Sequence, residues 1–219
     1  KGHGGALNTG CATASGKYLK AVDADDWVQS ESLPEFIRLL EQCESDVVLT
    51  HYHTVDIKSG QIKDWCCQPK SFGKLYTLEE ILSNWRCFNW NLVYHGITYR
   101  RDFYQLHASL LPEHIFYEDY EFATFPCCQA ESLVCFDLFL YEYRIGDINQ
   151  SMAASNQLKR IGQIETVIRR MLKNYQDLLE SCSKLYAARK THELILSYLT
   201  VALLINPDKK AGRRQAKKM

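Results

Sequence analysis

Three carboxylates, those of Asp23, Asp25 and Asp26, lie within four residues near the start of the chain. Carboxylates this close repel one another, and a divalent metal ion is the usual partner that offsets the repulsion. Residues 17–22 read as a short strand, so the acidic segment would follow a strand's carboxyl end, where open α/β sheets bind ligands. Spacing alone leaves an equal alternative, a solvated turn that caps the following helix.

A second acidic pair, Glu118 and Asp119, offers a general base for proton transfer. The residue types alone favour another interpretation, because acidic side chains are stabilised at helix N-termini by the helix dipole. His95 and His107 are candidate ligands, although a lone histidine is more often structural.

The glycine-rich segment at residues 2–16 predicts close packing of a loop or helix on a sheet. It is not a P-loop, because five residues rather than four separate Gly10 from Gly16. The dinucleotide fingerprint also fails, because Leu7 stands where its last glycine belongs.

The elements that would position these residues alternate between strands and helices, which is typical of an α/β domain. The first residues look loop-like, and residues 56–75 look like a loop or hairpin. Thr77 is expected to cap a helix. We expect strands over 17–22, 46–54, 92–99, 132–136 and 139–144, and helices over 30–43, 78–85, 100–107 and 116–130.

The C-terminal part changes character. Apolar residues keep steps of three and four over 156–189, which predicts one long amphipathic helix, and a second is predicted over 192–205. Beyond Asp208 the chain is basic and is expected to be disordered. The basic face of the two predicted helices, which includes Arg160 and Lys190, suits peripheral contact with an anionic membrane. Packing on the preceding domain or a homodimer is the favoured alternative.

The composition excludes several classes of protein. Lys and Arg number 26, as do Asp and Glu, and this balance argues against a nucleic-acid partner. The nine cysteines show no CxxC spacing, so we expect reduced, mostly buried thiols and a cytoplasmic protein rather than a secreted disulfide scaffold. The chain opens Lys1-Gly2-His3 with no initiator Met or signal peptide, so we expect it to begin inside a larger protein.

Two segments together resemble the middle of glycosyltransferase family 2, which has the GT-A fold. They are Asn8-Thr9-Gly10 with Ala14-x-Gly16-x-Tyr18, and Val22-Asp23-x-Asp25-Asp26-Trp27. Four later segments follow in the family's order. The family's later strand resembles residues 97–101, its acidic helix start 116–122, its Tyr-rich strand 140–146 and its Gln-Ser loop 150–151.

The resemblance spans roughly residues 2–152 and departs from the family in two ways. Leu7 replaces an arginine common in such proteins, and the family's opening strand and helix units are absent. The implied fold is an α/β, GT-A-like sheet flanked by helices, incomplete at the N-terminus, with a C-terminal α-helical hairpin. The implied division is a partial GT-A domain at 1–152, a helical region at 153–206 and a basic tail at 207–219.

The resemblance implies an inverting transfer of sugar from a nucleotide-diphosphate donor to an acceptor hydroxyl. Asp25 would bind Mg²⁺ or Mn²⁺ directly, and Asp23 would contact the donor ribose or the metal's water. Asp26 is a third metal candidate. Asp119, or Glu118 in its place, would act as the general base. A metal at Asp25 and a base at Asp119 can act on one substrate only if the two carboxylates face the same cleft.

Further site residues complete the prediction. Trp85 and Trp90 are candidates for stacking on acceptor sugars. The acceptor would be a saccharide or lipid-linked, as in cell-surface polysaccharide biosynthesis, at or near the inner membrane face. The donor-binding residues would be Asn8, Gly10, Asp23, Gln150 and Ser151.

Two functions of other classes remain open. The first is a non-catalytic, partner-binding α/β module with a structural acidic loop. The glycosyltransferase interpretation itself leaves open that this chain is an inactive fragment. A metal-dependent phosphohydrolase would need further ligands that the sequence does not place.

Overall fold

The computed structural model describes residues 1–147, 150 and 153–219. The strands are β1 Tyr18–Leu19, β2 Trp27–Val28, β3 Val47–Asp56, β4 Ile62–Trp65, β5 Leu75–Tyr76, β6 Ile97–Arg100 and β7 Leu133–Ile145. The helices are α1 Gly2–Thr13, α2 Leu33–Gln42, α3 Leu78–Ser83, α4 Arg101–His107, α5 Asp119–Phe122, α6 Ala154–Lys159, α7 Ile161–Gln176, α8 Ser181–Thr200 and α9 Lys209–Ala216.

One mixed sheet runs in the order β1-β6-β3-β7-β2. Its central strands β3 and β7 are parallel, whereas β1–β6, β3–β6 and β2–β7 are antiparallel. β4 and β5 pair outside this order with β3 and β7. Residues 47–52 are buried without alternation, as a strand covered on both faces requires. The α/β class predicted from the sequence is confirmed.

Local signals set several element boundaries as predicted. Thr77 caps α3 through a capping box: its side chain accepts a hydrogen bond from the Glu80 amide at 3.2 Å, and the Glu80 carboxylate accepts one from the Thr77 amide at 2.9 Å. α2 carries Pro34 in its first turn, where the missing amide proton costs no hydrogen bond.

Of the two forms that the glycine-rich segment allowed, a loop or a helix, the structure has the helix α1, and it begins at Gly2, among the first residues that looked loop-like. Its glycines allow a close approach rather than a flexible turn. A Cβ on Gly4 would lie 2.3 Å from the Pro112 carbonyl oxygen, so only glycine fits against this backbone.

The middle of the chain has shorter elements than predicted. The strand expected over 92–99 covers only Ile97–Arg100, and the helix expected over 116–130 is reduced to α5 and a 3₁₀ turn at Cys127–Gln129. The two strands expected over 132–144 form the single strand β7, whose pairing with β3 is irregular near His51.

The C-terminal helices form a hairpin, but its turn lies earlier than predicted. The expected helix over 156–189 breaks between α7 and α8, and α8 continues through the expected boundary near residue 190. At the turn Leu178 is 7% exposed and Leu179 is 89% exposed. Apolar residues therefore keep helical spacing through a turn, which is why the sequence pattern conceals it.

The basic tail is also ordered, as helix α9, where disorder was expected. The Asp208 carboxylate caps it by accepting hydrogen bonds from the Lys210 and Ala211 amides, both at 2.9 Å. Gly212 permits close packing, because a Cβ there would lie 1.9 Å from the Ala202 carbonyl oxygen.

The sheet and the C-terminal helices share one hydrophobic core. Val47 and Ile97 of the sheet belong to the same buried cluster as Tyr186 and Tyr198 of α8. All nine cysteines are free thiols. Across the described residues, no helix has both the length and the hydrophobicity needed to cross a membrane.

Candidate active site

A cavity of about 570 Å³ brings together residues far apart in sequence. Both Asp25 and Asp119 line it, as the sequence-based hypothesis requires. Its lining consists of His3, Asp23, Ala24, Asp25, Tyr52, Val93, Tyr94, His95, Phe116, Tyr117, Glu118, Asp119, Tyr120, Ala123, Tyr143, Gln150, Arg160, Lys190 and Ser197.

The acidic loop between β1 and β2 places its three aspartates differently. Asp26 belongs to the sheet, because its carboxylate accepts hydrogen bonds from the Tyr141 hydroxyl at 2.5 Å and the Arg144 amide at 2.8 Å. Burial raises the pKa of Asp26 to about 6. Asp25 is exposed, and Gln150 donates to its Oδ2 at 3.4 Å. Asp26 thus fixes the loop while Asp25 faces the cavity.

His3 of α1 connects the acidic loop to the segment before α5. Its Nδ1 lies 2.7 Å from Glu118 Oε1, and its Nε2 lies 2.9 Å from Asp23 Oδ1. The hydrogen bonds to Asp23 and Glu118 raise the pKa of His3 to about 10, against the effect of burial. Burial acts to raise the pKa of Asp23, but the bond and charge of His3 outweigh it and lower that pKa. The three groups therefore form a charged bridge at neutral pH.

Asp119 begins α5 beside this bridge. Burial, followed by the charge of Glu118, raises its pKa to about 6. Glu118 is 1% exposed. The preceding residue, Tyr117, has φ of 73°, a backbone conformation unfavourable for a bulky residue and typical of functional sites. Asp119 is deprotonated and weakly basic at neutral pH.

Two basic groups near the cavity have pKa values well below their usual range. Burial lowers the pKa of Lys20 to about 7 and that of His95 to about 3. Lys20 donates to the carbonyl oxygens of His95 and Ile97. His95 stacks on Tyr143 with ring centroids 4.1 Å apart. The other candidate, His107, packs on Phe103 away from the cavity lining.

The donor atoms of the acidic loop fit a hard divalent cation. One oxygen from each of Asp23, Asp25 and Asp26 lies within 4.8 Å of the others. Carboxylate oxygens are the ligands that Mg²⁺ and Mn²⁺ prefer. Because Asp26 is held by Tyr141 and Arg144, Asp25 is the carboxylate best placed to bind an ion.

Several residues predicted for the site lie outside the cavity lining. The Asn8 side chain binds the Leu111 backbone at 2.9 Å, and Gly10 faces open space. Trp85 packs edge-on against Tyr186, and Trp90 lies beside Trp65. Their proposed donor and acceptor roles remain predictions. Ser151 lies outside the described residues.

The sequence reasoning missed three charged cavity residues. His3 lay among the first, loop-like residues, and Arg160 and Lys190 were placed only on the basic face of the C-terminal helices, for which packing or a homodimer was favoured over membrane contact. Lys190 is instead 1% exposed, and its Nζ lies 2.6 Å from Glu193 Oε2. Helical spacing would have placed Lys190 only if the turn near residue 178 had been recognised.

Comparisons with known proteins agree with the sequence resemblance. Residues 1–105 match the model of glycosyl transferase family 2. The likeness to this family covers just under half of the chain, 105 of its 219 residues. The matched segment contains His3, Asp23 and Asp25, whereas Asp119 lies beyond it. No curated protein matches the chain closely enough to count as a relative.

Solved structures extend the likeness to nearly the whole chain. The crystal structure of S. aureus TarS 1-349 matches with a TM-score of 0.61 and 16% identity, covering 98% of this chain and 58% of that one. The same protein in complex with UDP-GlcNAc matches with a TM-score of 0.51 and 16% identity, covering 99% and 69%. The GT-A fold and helical C-terminal region are confirmed, and the chain spans about three fifths of the first TarS structure.

Proposed function

We propose that this chain carries the catalytic cavity of an inverting glycosyltransferase that uses a nucleotide-sugar donor. The observation that carries the proposal is the placement of Asp25 and Asp119 in one cavity, although they are 94 positions apart in the sequence. A module that only binds a partner has no use for a partly buried base that faces an acidic loop.

Asp119 is the proposed general base. Its pKa of about 6 leaves the carboxylate ionised at neutral pH, yet basic enough to accept the proton of an acceptor hydroxyl. The hydroxyl oxygen would form the new bond to the anomeric carbon as the bond to the donor diphosphate breaks on the opposite face. Glu118 holds His3 rather than facing the cavity freely, so Asp119 is preferred over Glu118.

Asp25, with Asp23, is the proposed ligand of Mg²⁺ or Mn²⁺. Such an ion would neutralise charge on the departing diphosphate. The chain's own residues supply the rest: Asp26 fixes the loop, and the His3 bridge keeps Asp23 in register with Glu118. UDP is the first nucleotide to test, because TarS was crystallised with UDP-GlcNAc. The acceptor is proposed to be a saccharide or lipid-linked, and a cytoplasmic location remains part of this proposal.

The test measures the chain's thermal midpoint with Mn²⁺ alone and with Mn²⁺ plus UDP. We expect both additions to raise the midpoint, and we expect Asp25→Asn to abolish the rise. Asp177→Asn, at an exposed position after α7, is the matched control and should retain it. A rise that survives in Asp25→Asn would place the metal elsewhere, and no rise in either protein would favour a non-catalytic module or an inactive fragment.

A further inference from the structure

Two buried hydrogen-bond donors at the cavity lack an acceptor among residues 1–147, 150 and 153–219. They are the Tyr117 hydroxyl and Nη1 of Arg160. Both residues line the cavity, and Tyr117 is only 8% exposed. A buried donor without an acceptor destabilises the fold by about 1–3 kcal/mol. A bound ligand that supplies acceptor oxygens would remove this cost.

Aromatic stacking fixes the orientation of Arg160. Its guanidinium carbon lies 3.5 Å from the centroid of the Phe116 ring. This contact covers one face of the guanidinium and leaves the N–H groups at its edge for hydrogen bonding. Burial raises the pKa of Tyr117 to about 12 although the charge of Arg160 lowers it, so Tyr117 remains a neutral donor.

Arg160 also lacks the carboxylate partner that the other cavity cations have. His3 is matched by Asp23 and Glu118, and Lys190 by Glu193. No ion pair within the described part of the chain includes Arg160. Lys190 keeps further N–H groups, because an ammonium carries three donors. The cavity lining therefore contains, beside its acidic residues, a positive charge with no carboxylate partner among the described residues.

We propose that Tyr117, Arg160 and Lys190 form an anion subsite that binds a phosphate group carried by the acceptor. A planar guanidinium with its edge free matches the oxygens of phosphate through paired hydrogen bonds. The subsite adjoins Asp119, two residues after Tyr117, and the group that accepts the hydroxyl proton must touch the acceptor. The inference rests on the proposed function, because it assigns this end of the cavity to the acceptor.

The subsite is tested first with inorganic phosphate and a hexose 6-phosphate as probes, by titration calorimetry on the whole chain. We expect Arg160→Gln to weaken binding of both by about tenfold or more, and Tyr117→Phe to weaken it less. Arg169→Gln is the matched control, since Arg169 lies on α7, which begins directly after Arg160, and pairs with Glu165 at 2.8 Å. Arg160→Lys keeps the charge without the planar edge and should bind at an intermediate level.

Three results would overturn the inference. Phosphate that binds equally to Arg160→Gln and Arg169→Gln occupies another site. An unmodified chain that binds neither probe has no such subsite. If Arg160→Gln weakens binding of UDP with Mn²⁺ as much as it weakens the hexose phosphate, the subsite holds the donor diphosphate instead. Phosphate binding needs no Mn²⁺, so the subsite and the Asp25 metal site can fail independently.

Discussion

Replacing His3 with alanine tests the charged bridge that joins α1, the acidic loop and the start of α5. The substitution removes the imidazolium that contacts Asp23 at 2.9 Å and Glu118 at 2.7 Å. Glu118 is 1% exposed and would remain as a buried carboxylate without its cation. We therefore expect His3→Ala to destabilise the chain more than removal of a surface histidine.

The magnitude follows from the pKa of His3. A shift from 6.5 to about 10 sets an upper limit of about 5 kcal/mol, at about 1.4 kcal/mol per unit. The net loss is smaller because the His3 side chain keeps 34% of its exposure and water screens the pair. Dehydration of Asp23 and Glu118 opposes the attraction as well. We expect a loss of about 2–3 kcal/mol at pH 6.

The pH dependence has a defined sign. A raised pKa means that the stabilisation by His3 is complete below pH 6.5 and declines as the pH rises towards 10. Lys20 titrates in the same range with the opposite sign, so only the difference between parent and variant isolates His3. That difference should be largest near pH 6 and should shrink by pH 10.

Urea denaturation at pH 6 and pH 10, at constant ionic strength, measures this difference. His107→Ala, at an exposed site in α4, is the control and should change stability little. Glu118→Gln should recover much of the loss when combined with His3→Ala, since the buried charge is then gone. Equal denaturation midpoints for parent and His3→Ala at pH 6, or a difference independent of pH, would refute the bridge.

Two further predictions concern a buried lysine and a close helix contact. The Lys20→Met variant should become more stable relative to the parent as the pH falls from 10 to 7. The pKa of Lys20 is depressed in the folded state, so its protonation favours unfolding of the parent. Urea denaturation at both pH values measures the difference in stability, and a difference independent of pH would contradict the prediction. The Gly212→Ala substitution should destabilise the chain and expose α9 to limited proteolysis. At Gly162 a Cβ would meet no neighbour within 4 Å, so Gly162→Ala should be neutral or stabilising by about 0.5–1 kcal/mol. Equal effects of the two substitutions would refute the packing argument.

Local sequence determined some features well. The aspartate spacing after a short strand identified the loop that lines the cavity, and Thr77 with Glu80 marked the start of α3. These features depend on neighbouring residues, so spacing reveals them. The placement of Asp119 in the same cavity followed from family resemblance and not from local pattern.

The features that the sequence did not reveal depend on contacts between distant segments. α1 forms in a glycine-rich stretch because Gly4 packs against the Pro112 backbone 108 positions later. Leu178 and Leu179 have equal hydrophobicity, yet one is buried and the other exposed, since tertiary packing decides where the turn falls. A charged residue such as Lys190 looks solvent-exposed until the segments that bury it are known, although its partner Glu193 is only three residues away.

The C-terminal helices take part in the proposed site, and this changes their interpretation. Arg170 of α7 binds both carboxylate oxygens of the buried Glu121, at 2.6 and 3.0 Å, and the Tyr186 hydroxyl of α8 donates to the Ala123 carbonyl at 2.9 Å. Both contacts hold the segment that begins with Asp119. Because one face of α7 and α8 packs on this segment, any contact with a membrane or a second copy would have to use the opposite face. The basic residues of that region therefore do not form one free surface: Arg160 and Lys190 line the cavity, Arg170 holds Glu121, and Arg189 donates to the Leu82 carbonyl oxygen.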